Sequence, residues 1–119
     1  GAVVGLAEAV RLQQAIGPDR IAADGRELAT ILMDGFKGLK GIETLTPTHE
    51  ELRGSIVTIS HHRANASEFF GYLRKEHHLR CRPVTEQGLE AVRISTHVFN
   101  SHADCQRIIA GVAAAARVL

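Results

Sequence analysis

Cysteine is scarce in this chain. Cys81 and Cys105 are the only two among 119 residues, at no spacing that builds a metal or redox motif. They read as reduced thiols of a cytoplasmic protein rather than as a disulfide framework. Charge of one sign is lacking as well. Fourteen Lys and Arg against thirteen Asp and Glu leave a net charge of +1, so bulk charge gives no steering toward nucleic acid. No apolar run approaches the roughly 20 residues that a membrane helix needs. The first dozen residues have neither the basic start nor the apolar block of a signal peptide, and Glu8 falls among them. There is no internal repeat.

What is present is ordinary globular material. The apolar fraction is 45%, and a chain of this length makes one domain able to bury a modest core without staples. It opens without an initiator Met and already in helical pattern, as a domain cut from a longer protein would.

Apolar residues at Val3, Leu6, Ala7, Val10 and Ile16 follow helical spacing. Gly17-Pro18-Asp19 breaks that helix and restarts it, because proline at a first helical position forfeits nothing and an acid suits the positive helix end. A second helix carries Ile21, Leu28, Leu32, Phe36 and Leu39 on one stripe, weakened by Gly25 and Gly35. Strands are expected over Ile42–Thr46, stopped by Pro47, and over Ser55–Ser60, where Val57 and Ile59 form an apolar face. Asn65 with Glu68 is a capping-box signature for a helix through Phe69, Phe70, Tyr72 and Leu73. Strands over Leu79–Val84 and Leu89–Thr96 follow. A last helix starts at Ser101, with Asp104 in the capping-box position. This order predicts an α+β fold: a small, mostly antiparallel sheet with helices packed on one face.

The stretch Ala91–Ser101 organises the chain. Val92 and Ile94 alternate with Arg93 and Ser95, which puts Arg93 on a strand facing away from the apolar side. A guanidinium held this way is a two-pronged donor for a carboxylate. On spacing alone, such an arginine reads first as a solvated surface residue. By the same parity Arg80 and Arg82 share a face, so pairing of the last two strands would gather Arg80, Arg82 and Arg93 into a basic patch opposite the helices.

The run Arg-Ile-Ser-Thr-His-Val-Phe-Asn-Ser from Arg93, just before the last helix, resembles the C-terminal domain of class V aminotransferase-fold enzymes. These are pyridoxal-phosphate (PLP) enzymes of fold type I: cysteine desulfurases, selenocysteine lyases and the isopenicillin N epimerase-like group. The run from Arg80 to Leu89 is similar to the epimerase-like branch in particular. The likeness covers essentially the whole chain. It implies that residues 1–119 are the C-terminal small domain, with a large cofactor domain elsewhere in the same polypeptide, and that the parent works as a dimer on an amino-acid substrate. Arg93 then matches the arginine that grips the substrate α-carboxylate. Arg82 stands as a second cation at the cleft mouth, and His97 resembles a family position near the substrate.

The same resemblance implies that PLP belongs to the parent enzyme and is held by its large domain, which supplies the Schiff-base lysine, the acidic partner and the phosphate cradle. Lys37, Lys40 and Lys75 are the only lysines here, and none lies in a family-like context. Lys37 and Lys40 sit near a helix end, where a cation suits the dipole. By itself the chain is expected to bind no cofactor and to be inactive, contributing a substrate clamp but no catalytic residue.

One departure bears on the reaction. Cysteine desulfurases carry a nucleophilic Cys in the loop after the strand matching Arg80–Val84, whereas here that loop is Thr85-Glu86-Gln87-Gly88. Cys81 falls inside the strand, on its apolar side, as a buried thiol. Lyase, epimerase-like or transaminase chemistry stays open. Two other readings compete: a non-enzymatic module docking a protein or small anion on its basic sheet face, and a metal domain built on His61-His62, His77-His78 and Cys81. Adjacent histidines diverge on either a strand or a helix, which disfavours the last.

Overall fold

Two of the helices begin where side chains close a reciprocal cap. In the computed structural model, which describes residues 1–119, Asn65 Oδ1 accepts from the Glu68 N–H at 2.9 Å, and Glu68 Oε2 accepts from the Asn65 N–H at 3.0 Å. This starts α3 (Ala66–His77). Ser101 and Asp104 repeat the exchange at 3.2 and 2.9 Å and start α4 (His102–Val118). Each cap satisfies main-chain donors that a helix N-terminus otherwise leaves open, for about 1 kcal/mol. Glu90 adds a further tie: its carboxylate accepts from the Ala66 N–H at 2.6 Å, joining the start of α3 to the segment ahead of the last strand.

The remaining elements are α1 (Ala2–Ile16), α2 (Pro18–Phe36), β1 (Ile42–Thr44), β2 (Ile56–His61), β3 (Arg82–Val84) and β4 (Ala91–Ser95), with single 3-10 turns at Glu50–Leu52 and Glu86–Gly88. The four strands form one sheet in the order β1-β2-β4-β3, and every pairing is antiparallel. The expected α+β architecture is the one observed. Pro83 sits on edge strand β3, where its missing N–H removes no inner ladder bond.

Helices α2, α3 and α4 cover one face of the sheet. Val57, Ile59, Val92 and Ile94 point into that layer and pack with Leu28, Leu32, Phe36, Phe69, Leu73, Cys105 and Val112. Truncating a fully buried ring such as Phe69 to Ala costs about 3–5 kcal/mol. The two glycines that weaken α2 as a helix are where its neighbours come closest. A Cβ on Gly25 would lie 2.8 Å from that of Ser55, and one on Gly35 would overlap the Ile109 side chain.

Several boundaries move from their expected places. The strand foreseen over Leu79–Val84 starts only at Arg82. His78 takes a left-handed conformation as the C-cap of α3, and the Leu79 N–H bonds back to the Leu73 carbonyl at 3.1 Å, so these residues finish the helix. The other expected strands are trimmed or shifted to Ile42–Thr44, Ile56–His61 and Ala91–Ser95. Helix α1 packs mainly on α2 and buries none of its residues.

His61 closes β2 and is itself buried. Its Nδ1 accepts from the Arg63 and Ala64 N–H groups, both at 3.1 Å, which folds the turn leading to the Asn65 cap. Burial pushes the imidazole below its ordinary value of 6.5, with the Arg63 charge acting the same way and the Ala115 carbonyl offsetting part of the shift. The unfolded chain therefore takes up a proton near that value while the folded chain resists it. The contribution of His61 to stability is complete above this range and is lost as pH falls through it. The denaturant midpoint is expected to rise between about pH 5.5 and about pH 7.5, and the rise should shrink in His61→Asn, which keeps an acceptor in place of Nδ1. An equally steep rise in the variant would discount His61 as the titrating group.

Candidate functional site

Antiparallel register, more than any single motif, assembles the site. On β4, Val92 and Ile94 face the helices, which leaves Arg93 on the uncovered face. Arg93 lies directly opposite Thr58 of β2 on one side and Arg82 of β3 on the other. The row across the open face therefore reads Arg82, Arg93, Thr58. Side chains of directly opposed residues stand about 4.5–5.5 Å apart at Cβ, so the two arginines leave the sheet side by side. Beside this row run Val84, Ala91, Ser60 and Glu43, which carry one further charge.

The two arginines are in different states. Arg82 Nη2 donates to Glu86 Oε1 at 2.5 Å. Glu86 Oε2 also accepts from the Thr85 N–H at 3.0 Å. Main-chain donors at Glu86, with the Arg82 charge and the Thr85 donor adding to them, hold this carboxyl below the usual range. Arg93 is half-buried, and its Nε is fully buried with no hydrogen-bond partner. An unpaired donor on a buried charged group costs about 1–3 kcal/mol or more.

His97, placed near the substrate by the resemblance, lies two residues beyond the end of β4. Its Nδ1 accepts from the Val98 N–H at 2.7 Å, and its ring stacks on Phe99 with centroids 5.4 Å apart. It borders a hollow of about 40 Å³ with Ile21, Gly25, Ser55 and Thr96, against α2. The structure thus brings Arg82 and Arg93 together and sets His97 against a helix.

Arg80 departs from the expected patch. Because the C-cap of α3 uses up residues 78 and 79, strand parity does not reach it, and Arg80 lines a groove of about 510 Å³ with Phe70, Arg74, His78, Leu79 and Cys81 at the end of α3. A basic face built from Arg80, Arg82 and Arg93 together does not form. No three His, Cys, Asp or Glu side chains converge so as to hold an ion, and the His61-His62 and His77-His78 pairs stay apart in that sense. Both cysteines are free, Cys105 within the core and Cys81 packed against it. Glu86 is the site residue that sequence reasoning passed over. Its signal was the Arg82-to-Glu86 interval across a loop read only for its lack of cysteine.

Comparison with known proteins adds a family. Residues 1–108 match the model of the family described as aminotransferase class-V. A probable cysteine desulfurase from Mycobacterium leprae is 31% identical over an alignment of 118 positions, which takes in 92% of this chain and 28% of that protein. The apo structure of a cysteine desulfurase from Thermococcus onnurineus NA1 superimposes with a TM-score of 0.87 at 20% identity, over 98% of this chain and 31% of that one. A cysteine desulfurase from Escherichia coli gives a TM-score of 0.73 at 17% identity, over 89% of this chain and 28% of that one. The chain spans under a third of the length of these relatives. It belongs to the class-V aminotransferase family, whose enzymes depend on PLP.

Proposed function

We propose that this chain is the substrate-carboxylate-binding, C-terminal small domain of a PLP-dependent enzyme acting on an amino acid, with Arg93 as the clamp. The observation that carries the reading is the placement of Arg93: a half-buried guanidinium, its Nε without a hydrogen-bond partner, on a strand face free of helices. A planar fork fixed on a paired strand grips a carboxylate in one orientation, which turns binding energy into positioning of the reacting bond. Arg82 supplies a second cation beside it. His97 rests against α2 rather than in that row, and its place near the substrate rests on the resemblance alone.

The lysines here do not fit the cofactor. Lys37 is exposed and bonded to Asp34 at 2.5 Å, Lys75 is exposed beside Glu76 at 3.5 Å, and Lys40 stands in solvent. In this reading the cofactor belongs to a large domain of the same polypeptide. The exposed apolar side chains of α1 support such a partner: Val3, Val4, Leu6, Val10 and Leu12 all lie open. Dimeric assembly of the parent and a cytoplasmic, reducing setting for its two thiols belong to the same proposal. No helix is long and apolar enough to cross a membrane.

Among the open chemistries, the loop argues against a persulfide step like that of the relatives named cysteine desulfurases. Thr85-Glu86-Gln87-Gly88 offers no thiol, and burial pushes Cys81 up to about 11. Burial raises Cys105 too, with Asp104 nearby adding to the effect. Lyase, epimerase-like or transaminase chemistry fits better, since none needs a protein thiolate. The rival reading, a non-enzymatic module docking a protein or small anion on a basic face, has little charge to work with: Arg80 is elsewhere and Arg82 is engaged by Glu86.

Two measurements test this. In the full-length protein, Arg93→Ala should lower kcat/KM for the amino-acid substrate by roughly 30- to 1000-fold, with cofactor loading unchanged, and Arg93→Lys should recover only part. A folded Ala variant with undiminished turnover would move the clamp elsewhere, with Arg82 next in line. Separately, Cys81 of the folded chain should react with iodoacetamide near pH 8 on the order of 100-fold more slowly than in urea, and Cys105 should also be slowed. Fast labelling of Cys81 in the folded state would restore it as a nucleophile.

A further inference from the structure

Cross-strand like charges are unfavourable, and Arg82 directly faces Arg93. The fold answers this with one acid, set on a turn. Gln87 and Gly88 both take positive φ, 58° and 76°, and the Leu89 N–H returns to the Glu86 carbonyl at 3.1 Å. This tight reversal at the end of β3 sends Glu86 back onto the Arg82 guanidinium. Its second oxygen is tethered to the Thr85 N–H, so the carboxylate is held at both oxygens. Arg82 is thereby occupied from within the chain, while the Arg93 Nε has no partner.

We infer that Glu86 is a specificity-determining residue that fits this site to amino acids with a single carboxylate and a neutral side chain. The inference rests on the carboxylate-clamp reading of Arg93 given above. Along the row the charges are those of Arg82, Arg93 and the Glu86 that turns back onto it, a balance of about +1 that one carboxylate neutralises, while Glu43 on β1 lies two strands away from Arg93. An acidic side chain reaching for Arg82 must displace Glu86, which leaves that carboxylate beside the incoming one. A neutral side chain meets no such competition. The Arg82–Glu86 pair is more than half exposed, with side-chain exposures of 55% and 59%, so solvent screening keeps the discrimination modest.

The test is a titration of this chain, followed at the Arg93 Nε–H resonance by NMR at constant ionic strength and about pH 7. Acetate and succinate serve as the one- and two-carboxylate probes, on the unmodified chain, on Glu86→Gln and on Glu51→Gln. Glu51 is an exposed acid on the turn before β2, and its loss changes net charge equally. We expect acetate to move the Arg93 signal, and the succinate-to-acetate affinity ratio to rise about two- to fivefold in Glu86→Gln alone. An unchanged ratio in Glu86→Gln, or an equal rise in Glu51→Gln, overturns the role of Glu86 while the Arg93 clamp stands. If neither probe moves the Arg93 signal in any of the three proteins, the clamp reading fails, and the inference with it.

Discussion

Strand β4 has a paired neighbour on each side and a helix layer over one face, and the rest of the structure answers to that constraint. A strand in this position can send only alternate side chains away from the core. Val92 and Ile94 are taken up by the helices, so Arg93 is left on the other face whatever its own preference. Pairing on both edges then determines what stands beside it: Thr58 on one side and Arg82 on the other. A slip of one residue in either ladder would bury the guanidinium and expose the valine, which makes the hydrophobic layer the guardian of the functional register.

The charge of the open face follows from the same geometry. Two opposed arginines need a counter-charge, and the chain supplies only half of it, through Glu86 on a turn that needs left-handed backbone at Gln87 and Gly88. What remains on this face is the Arg93 Nε, buried and without a partner. A donor left this way costs free energy in the folded chain. The thiols sit on the opposite side of this economy of exposure. Cys105 and Cys81 pack in or against the apolar layer, where burial raises their pKa values and removes them from nucleophilic chemistry.

Much of this was legible residue by residue. Both capping boxes announced their helices because the donors they satisfy lie within one turn of the cap, an interaction that needs no tertiary partner. The alternation around Arg93 was equally local, and it placed that side chain on the uncovered face. Where local patterning met a competing local structure, it misled. Parity grouped Arg80 with Arg82, yet the left-handed His78 and the Leu79-to-Leu73 bond end α3 so late that Arg80 never joins the strand. A helix C-cap and a strand start compete for the same residues, and periodicity alone does not arbitrate between them.

By itself, the sequence determined the elements, their caps, the α+β order and the apolar face of each strand, because each rests on contacts within a few residues. Its wording around Arg93 also pointed to the family that the comparisons then showed. Only the tertiary structure decided that β3 and β2 both flank β4, that Arg82 stands opposite Arg93, that Glu86 turns back onto Arg82, and that His97 rests against α2. Those are pairings between segments far apart in the chain or across a turn, settled by which apolar surfaces can be buried together, and no local pattern encodes them.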